Sequence, residues 1–90
     1  MAPLMAFVYF LKSLRNGRHY IGSTENLDRR LKEHNDGKST YTKLTKPFAM
    51  VFSQKFSTLS KARRVELKLK NFKSKMIIEK IIKDNIIKVD

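Results

Sequence analysis

The dipeptide Asn16-Gly17 leaves its neighbours little structural freedom. Asn and Gly tolerate positive φ best, and between two apolar runs they close a β-hairpin. The run from Ala6 to Leu14 is rich in aromatic and β-branched residues, and Arg18 to Gly22 returns from the turn. Both read as strands. The register depends on the loop. A four-residue loop, Leu14 to Gly17, pairs Ser13 with Arg18 and Leu11 with Tyr20. Tyr9 is then the diagonal neighbour of Tyr20, about 7–8 Å away on the same face. A two-residue loop keeps both tyrosines on one face but further apart, and an odd loop without a bulge separates them.

Beyond the hairpin, Ser23-Thr24 is expected to cap a helix with Glu25 and Asp28 near its positive end. That helix runs to about His34, where Asn35-Asp36-Gly37 stops it. Lys38 to Pro47 reads as a polar, basic loop, and Phe48 to Phe56 as a third strand. Ser57 or Thr58 opens a second helix from Leu59 to about Asn71, and Ser74 opens a third from about Lys75 to Asp84. The order β-β-α-β-α-α has no βαβ rhythm and implies an α+β fold with a small antiparallel or mixed sheet. Ninety residues suffice for a single domain, with its core over about residues 6–84.

Twenty Lys and Arg against eight Asp and Glu give a net charge of +12. Such an excess points to a polyanionic partner, nucleic acid before a membrane surface. Eleven of the basic residues fall between Gly37 and Met76, where Glu66 is the only acid. A solvated surface is the bland account of that run, and phosphate neutralisation the functional one. The chain has no Cys, which excludes a disulfide framework, a Cys-ligated zinc site and thiol catalysis. No apolar stretch approaches a bilayer span, and the first residues lack the charge and length of a signal peptide. A reduced, cytoplasmic setting is expected, with no membrane partner.

Helical geometry sharpens the reading. With Leu27 at the origin, His34 falls about −20° and Arg30 about −60° round the first helix, while Arg29 lies about 200° away. Arg30 and His34 therefore share the inward side. Arg30 can serve an anion there, or snorkel out from the margin of the stripe. In the second helix Glu66 lies about 40° from Ala62, on the core-facing flank. It can bind Mg²⁺ through one oxygen, or pair with Lys70 one turn on. Tyr9 and Tyr20 suit a phosphodiester site, or ordinary packing. Together the set offers a carboxylate for a metal, a guanidinium for phosphoryl charge, and phenol or imidazole for a proton.

At these residues the chain resembles the GIY-YIG endonucleases. The matching text is Phe7-Val8-Tyr9, Tyr20-Ile21-Gly22, the following run from Ser23 to Asn35, and Ala62 to Lys68. It is similar to small stand-alone bacterial members and to the nuclease domain of the excision-repair incision subunit. The resemblance implies a small central, largely antiparallel three-stranded sheet flanked by helices, and DNA cleavage with one divalent metal, Mg²⁺ or Mn²⁺. It implies Tyr9 as general base or water-positioning phenol, Tyr20 as a second active-site tyrosine, Arg30 as the phosphate-stabilising residue, His34 as proton acceptor and Glu66 as metal ligand. Phe7 and Val8 replace the family's leading Gly and Ile, and Ile78 stands where some members carry Asn.

The expected function is a metal-dependent DNA endonuclease, structure-selective or nonspecific, in DNA repair or processing, with no small-molecule cofactor. Tyr41, Lys43 and Lys46 in the loop, with Arg63, Arg64 and Lys68, are the expected phosphate contacts. The alternative is a catalytically inactive basic nucleic-acid-binding module, which would need neither an inward Glu66 nor the tyrosine pair.

Overall fold

The structure is a computed structural model that describes residues 5–37 and 44–87. The elements are β1 (Ala6–Ser13), β2 (His19–Thr24), α1 (Leu27–Asn35), β3 (Phe48–Phe56), α2 (Leu59–Phe72) and α3 (Lys75–Asp84). Among the described residues the strands form one antiparallel sheet, ordered β2-β1-β3. The fold is α+β, in the order the sequence implies.

The hairpin uses the four-residue loop. Ser13 N donates to Arg18 O at 2.8 Å, and Leu11 faces Tyr20. Gly17 has φ of 75°, where a side chain would be strained, and Asn16 Oδ1 accepts from Arg18 N at 2.9 Å. Buried Ser13 ties this turn to the segment before β3, donating through Oγ to Thr45 O at 2.6 Å.

Central strand β1 is buried on both faces, so its side chains alternate between two apolar clusters. Val8 and Phe10 join Ile21 and Phe52 beneath α2 and α3, which contribute Ala62, Val65, Leu69 and Ile81. Tyr9 and Leu11 join Phe48 on the opposite face, covered by Leu27 and Leu31 of α1. Strand β3 changes which of its alternate residues face each cluster where its register against β1 slips between Phe10 and Leu11. Phe10 pairs with Phe52 but Leu11 with Met50, leaving Val51 as the extra residue of a bulge. Without that slip Phe48 would share the face of Phe52; with it, Phe48 turns toward α1.

The start of α1 departs from expectation. Ser23 and Thr24 do not cap it; they finish β2, paired with Val8 and Phe7. The cap is Asn26, whose Oδ1 accepts from Arg29 N at 3.0 Å. Ladder hydrogen bonds to β1 hold Ser23 and Thr24 in extended conformation, and the next side chain able to cap takes the role. The other caps fall at Thr58 for α2 and Ser74 for α3.

Candidate active site

Tyr9 lies at the centre of the α1 face and is 1% exposed. Its hydroxyl is 3.1 Å from His34 Nε2, and it accepts a hydrogen bond from Arg30 Nε at 3.3 Å. Arg30 and His34 stand one turn apart on α1, so one helix face delivers both to the same oxygen. Arg30 also pairs with Glu33 at 3.1 Å. Tyr20, on the same sheet face, packs its ring edge-on to His34 with centroids 5.2 Å apart. Phe48 closes the other side of the imidazole at 6.0 Å. The Asn35 side chain fixes this neighbour by accepting from Phe48 N at 2.7 Å and donating to Phe48 O at 3.3 Å.

Gly22 explains how a tyrosine fits here. It sits opposite Tyr9 in the ladder, and the phenol ring lies across it. A Cβ at Gly22 would come within 2.9 Å of Tyr9 Cε2 and overlap the phenol's Cζ and hydroxyl. Gly22→Ala is therefore expected to destabilise the fold by about 1–3 kcal/mol, as overpacking does, and to break the Tyr9–His34 contact. Urea unfolding and the tyrosine ring shifts measure both effects; an unchanged midpoint would show that the ring has room to move.

Glu66 approaches from the other side of the sheet, around its β2 edge. It is on α2 with its side chain 16% exposed. Ser23 Oγ donates to Glu66 Oε1, and Lys70 Nζ donates to Oε2, both at 2.5 Å. Lys70 also lies 5.9 Å above the Tyr20 ring. Of the two sequence alternatives for Glu66, the pair with Lys70 is present, and the carboxylate also faces the hairpin through Ser23. Its charge reaches Tyr9. Burial pushes the Tyr9 phenol above its ordinary pKa, the Arg30 hydrogen bond and charge oppose this, and Tyr20 and Glu66 add to it.

The expected phosphate contacts are dispersed. Arg63, Arg64, Lys68 and Lys46 are all exposed. Round α2, Arg63 lies about 60° from Glu66, whereas Arg64 and Lys68 lie about 160° away to either side. Tyr41 and Lys43 fall outside the described residues. Among the described residues no helix is long and apolar enough to cross a membrane.

Residues 5–81 match the GIY-YIG catalytic domain. The chain belongs to the GIY-YIG family. It is 39% identical over 79 residues to the UPF0213 protein SH2523 of Staphylococcus haemolyticus, covering 82% of this chain and 95% of that protein. Over 77 residues it is 39% identical to the UPF0213 protein YazA of Bacillus subtilis, covering 81% and 77%. The solution structure of the UPF0213 protein BH0048 from Bacillus halodurans shares its fold, with TM-score 0.55 and 32% identity over 88% of this chain and 83% of that one. The likeness to small bacterial members of this nuclease family is borne out.

Three side chains at this GIY-YIG site carry contacts that the sequence did not reveal: Ser23 on Glu66, Glu33 on Arg30 and Asn35 on Phe48. His34 is fully buried, and burial, followed by the nearby Arg30 charge, lowers its pKa to about 4. Between about pH 4 and 6.5 the unfolded chain holds a proton on this histidine that the folded chain does not. Its contribution to stability is full above about 6.5 and lost as pH falls toward 4, amounting to about 3 kcal/mol at about 1.4 kcal/mol per pKa unit. Urea midpoints should fall more steeply with acid in the parent than in His34→Gln; equal slopes would contradict a neutral buried imidazole.

Proposed function

We propose that this GIY-YIG protein is a metal-dependent DNA endonuclease that hydrolyses phosphodiester bonds in DNA repair or processing. One domain, with its core over about residues 6–84, carries the activity in the cytoplasm, and selectivity is for DNA structure, if for anything. Two clusters on the elements around β2, linked by the effect of the Glu66 charge on Tyr9, support this reading. Tyr9 is held by Arg30 and His34 on one side, and Glu66 is held by Ser23 on the other.

The donor set suits a hard divalent ion. Glu66 offers carboxylate oxygens, from one of which a bound ion would displace Lys70. Among the described residues no three His, Asp or Glu cluster as a cage. That fits Mg²⁺ or Mn²⁺, which can be held by one or two carboxylates while water and substrate phosphate complete the shell. When bound, such an ion eases proton loss from water and draws charge from the phosphoryl group.

The protein's own residues handle the proton. Arg30 Nε donates to the Tyr9 oxygen, and the His34 imidazole is neutral at neutral pH, so its Nε2-unprotonated tautomer takes the phenol's proton. As water attacks phosphorus, its proton passes to Tyr9 while the Tyr9 proton passes to His34. Tyr9 thereby acts as a base without ever standing as a free phenolate, which its raised pKa opposes. Arg30 stabilises the charge that builds on the phosphoryl oxygens, and Tyr20 orders the water and shields His34. The bond to the leaving oxygen breaks, and solvent protonates that oxygen. Arg63, Lys68, Arg64, Lys46, Tyr41 and Lys43 supply contacts to phosphates along the duplex.

The purified protein, incubated with Mg²⁺ or Mn²⁺ and a panel of duplex, nicked, branched and single-stranded DNA, is expected to cut at least one of them, and none in EDTA. Binding to the panel without any cutting would leave the inactive basic module, the reading that the Glu66–Lys70 pair favours.

A further inference from the structure

A groove of about 430 Å³ opens between the hairpin turn and the α2–α3 junction, beside Glu66 but outside the Tyr9 cluster. Arg18, Lys70, Lys73 and Lys75 line it, and no carboxylate does. Ile21, Leu69 and Ile78 add apolar lining. Lys70 is shared: it also pairs with Glu66 and sits over Tyr20, so the groove is continuous with the candidate active site. His19 adds a ring whose pKa is lowered by burial and then by Lys12. Cations and apolar side chains in one groove match the two parts of a nucleotide, its phosphates and its base. The volume lies within the range of about 300–1,000 Å³ typical of small-ligand sites.

We propose that this groove holds an unpaired nucleotide of the DNA strand being cut, its base on Ile21 and Ile78 and its flanking phosphates on Lys73, Lys75 and Arg18. A base stacked in duplex cannot enter such a groove without leaving the helix. The groove therefore selects DNA with a single-stranded segment next to the scissile bond. This deepens the nuclease reading and rests on it for the strand's identity.

The test measures binding without chemistry. The full chain in EDTA is titrated with a short fluorescent oligothymidylate across a salt series. K73E/K75E is compared with K32E/K55E, the same charge change on α1 and β3. Lys75 occupies the first position of α3, where Glu favours the helix, whereas Lys73 is the left-handed C-cap of α2, where Glu does not, and matching urea midpoints of the two variants check that the fold is kept. Losing two phosphate contacts is expected to reduce the slope of log Kd against log salt by about 1.4, since each single-strand contact contributes about 0.7. The control is expected to change it little, and the oligonucleotide is expected to shift the amides of Gly17, His19 and Ser74. Equal slopes in both variants, or a parent that does not bind the oligonucleotide, would overturn the groove. Mg²⁺-dependent cutting by the parent together with equal slopes keeps the nuclease and removes the groove; the reverse pattern keeps the groove and removes the nuclease.

Discussion

Glu66→Gln is expected to lower metal-dependent DNA cleavage by about 10³-fold or more, because a metal's share of transition-state stabilisation is several kcal/mol and about 1.4 kcal/mol is tenfold. Gln keeps the size of Glu and still offers an amide oxygen to Ser23 Oγ, so the hairpin contact survives. What is lost is the negative charge. The folded state should change little, since Lys70 is the exposed partner of the pair and Gln keeps the Ser23 contact. DNA binding in EDTA should hold or tighten, since Lys70 is released to face phosphate. Plasmid-nicking rates, binding by fluorescence anisotropy and a urea midpoint separate the three effects. A variant that cuts at the parent's rate would remove Glu66 from the chemistry, and a collapse of binding would make it structural.

Tyr9→Phe should cost about 10²–10⁴-fold in rate, the range for a positioned general acid or base. The ring remains over Gly22, so packing on the α1 face is kept. The hydroxyl takes with it both the His34 contact and the acceptor for Arg30 Nε. A buried imidazole nitrogen left without that partner costs about 1–3 kcal/mol, so the comparison belongs well below the melting temperature. A purely structural role would lower stability and leave the rate of the folded fraction unchanged. Loss of rate with the pH dependence flattened on the acid side, where His34 would otherwise take up its proton, marks the relay.

Much of this architecture is legible in the chain, for reasons that differ by element. Asn16-Gly17 specifies the hairpin chemically, and the two-sided burial of β1 fixes its register, since a slip of one residue would exchange Tyr9 with Phe10. Helical phase places Arg30 and His34 inward and Arg29 in solvent. Glu66 was visible as the lone acid of a basic run, but which alternative it adopts was not, because Lys70 is on its own helix and Ser23 is 43 residues away. Ser23 reads as a cap in the sequence because Ser and Thr suit both a helix start and a strand edge, and only pairing with β1 decides between them. The bulge at Val51 has no local mark, yet it turns Phe48 toward His34. Gly22 reads as part of a three-letter motif; its physical role emerges only once the Tyr9 ring lies across it.

In the proposed enzyme the carboxylate on α2 and the phenols on the hairpin serve one metal-dependent phosphate site. Titrating Mn²⁺ into the isotope-labelled protein tests it directly, because the ion broadens nearby resonances whether or not DNA is cut. Broadening should centre on Ser23 and Glu66, extend to Tyr20 and Tyr9, and vanish in Glu66→Gln. Broadening centred elsewhere, such as Glu79 or Asp84, or left intact in Glu66→Gln, would contradict the claim.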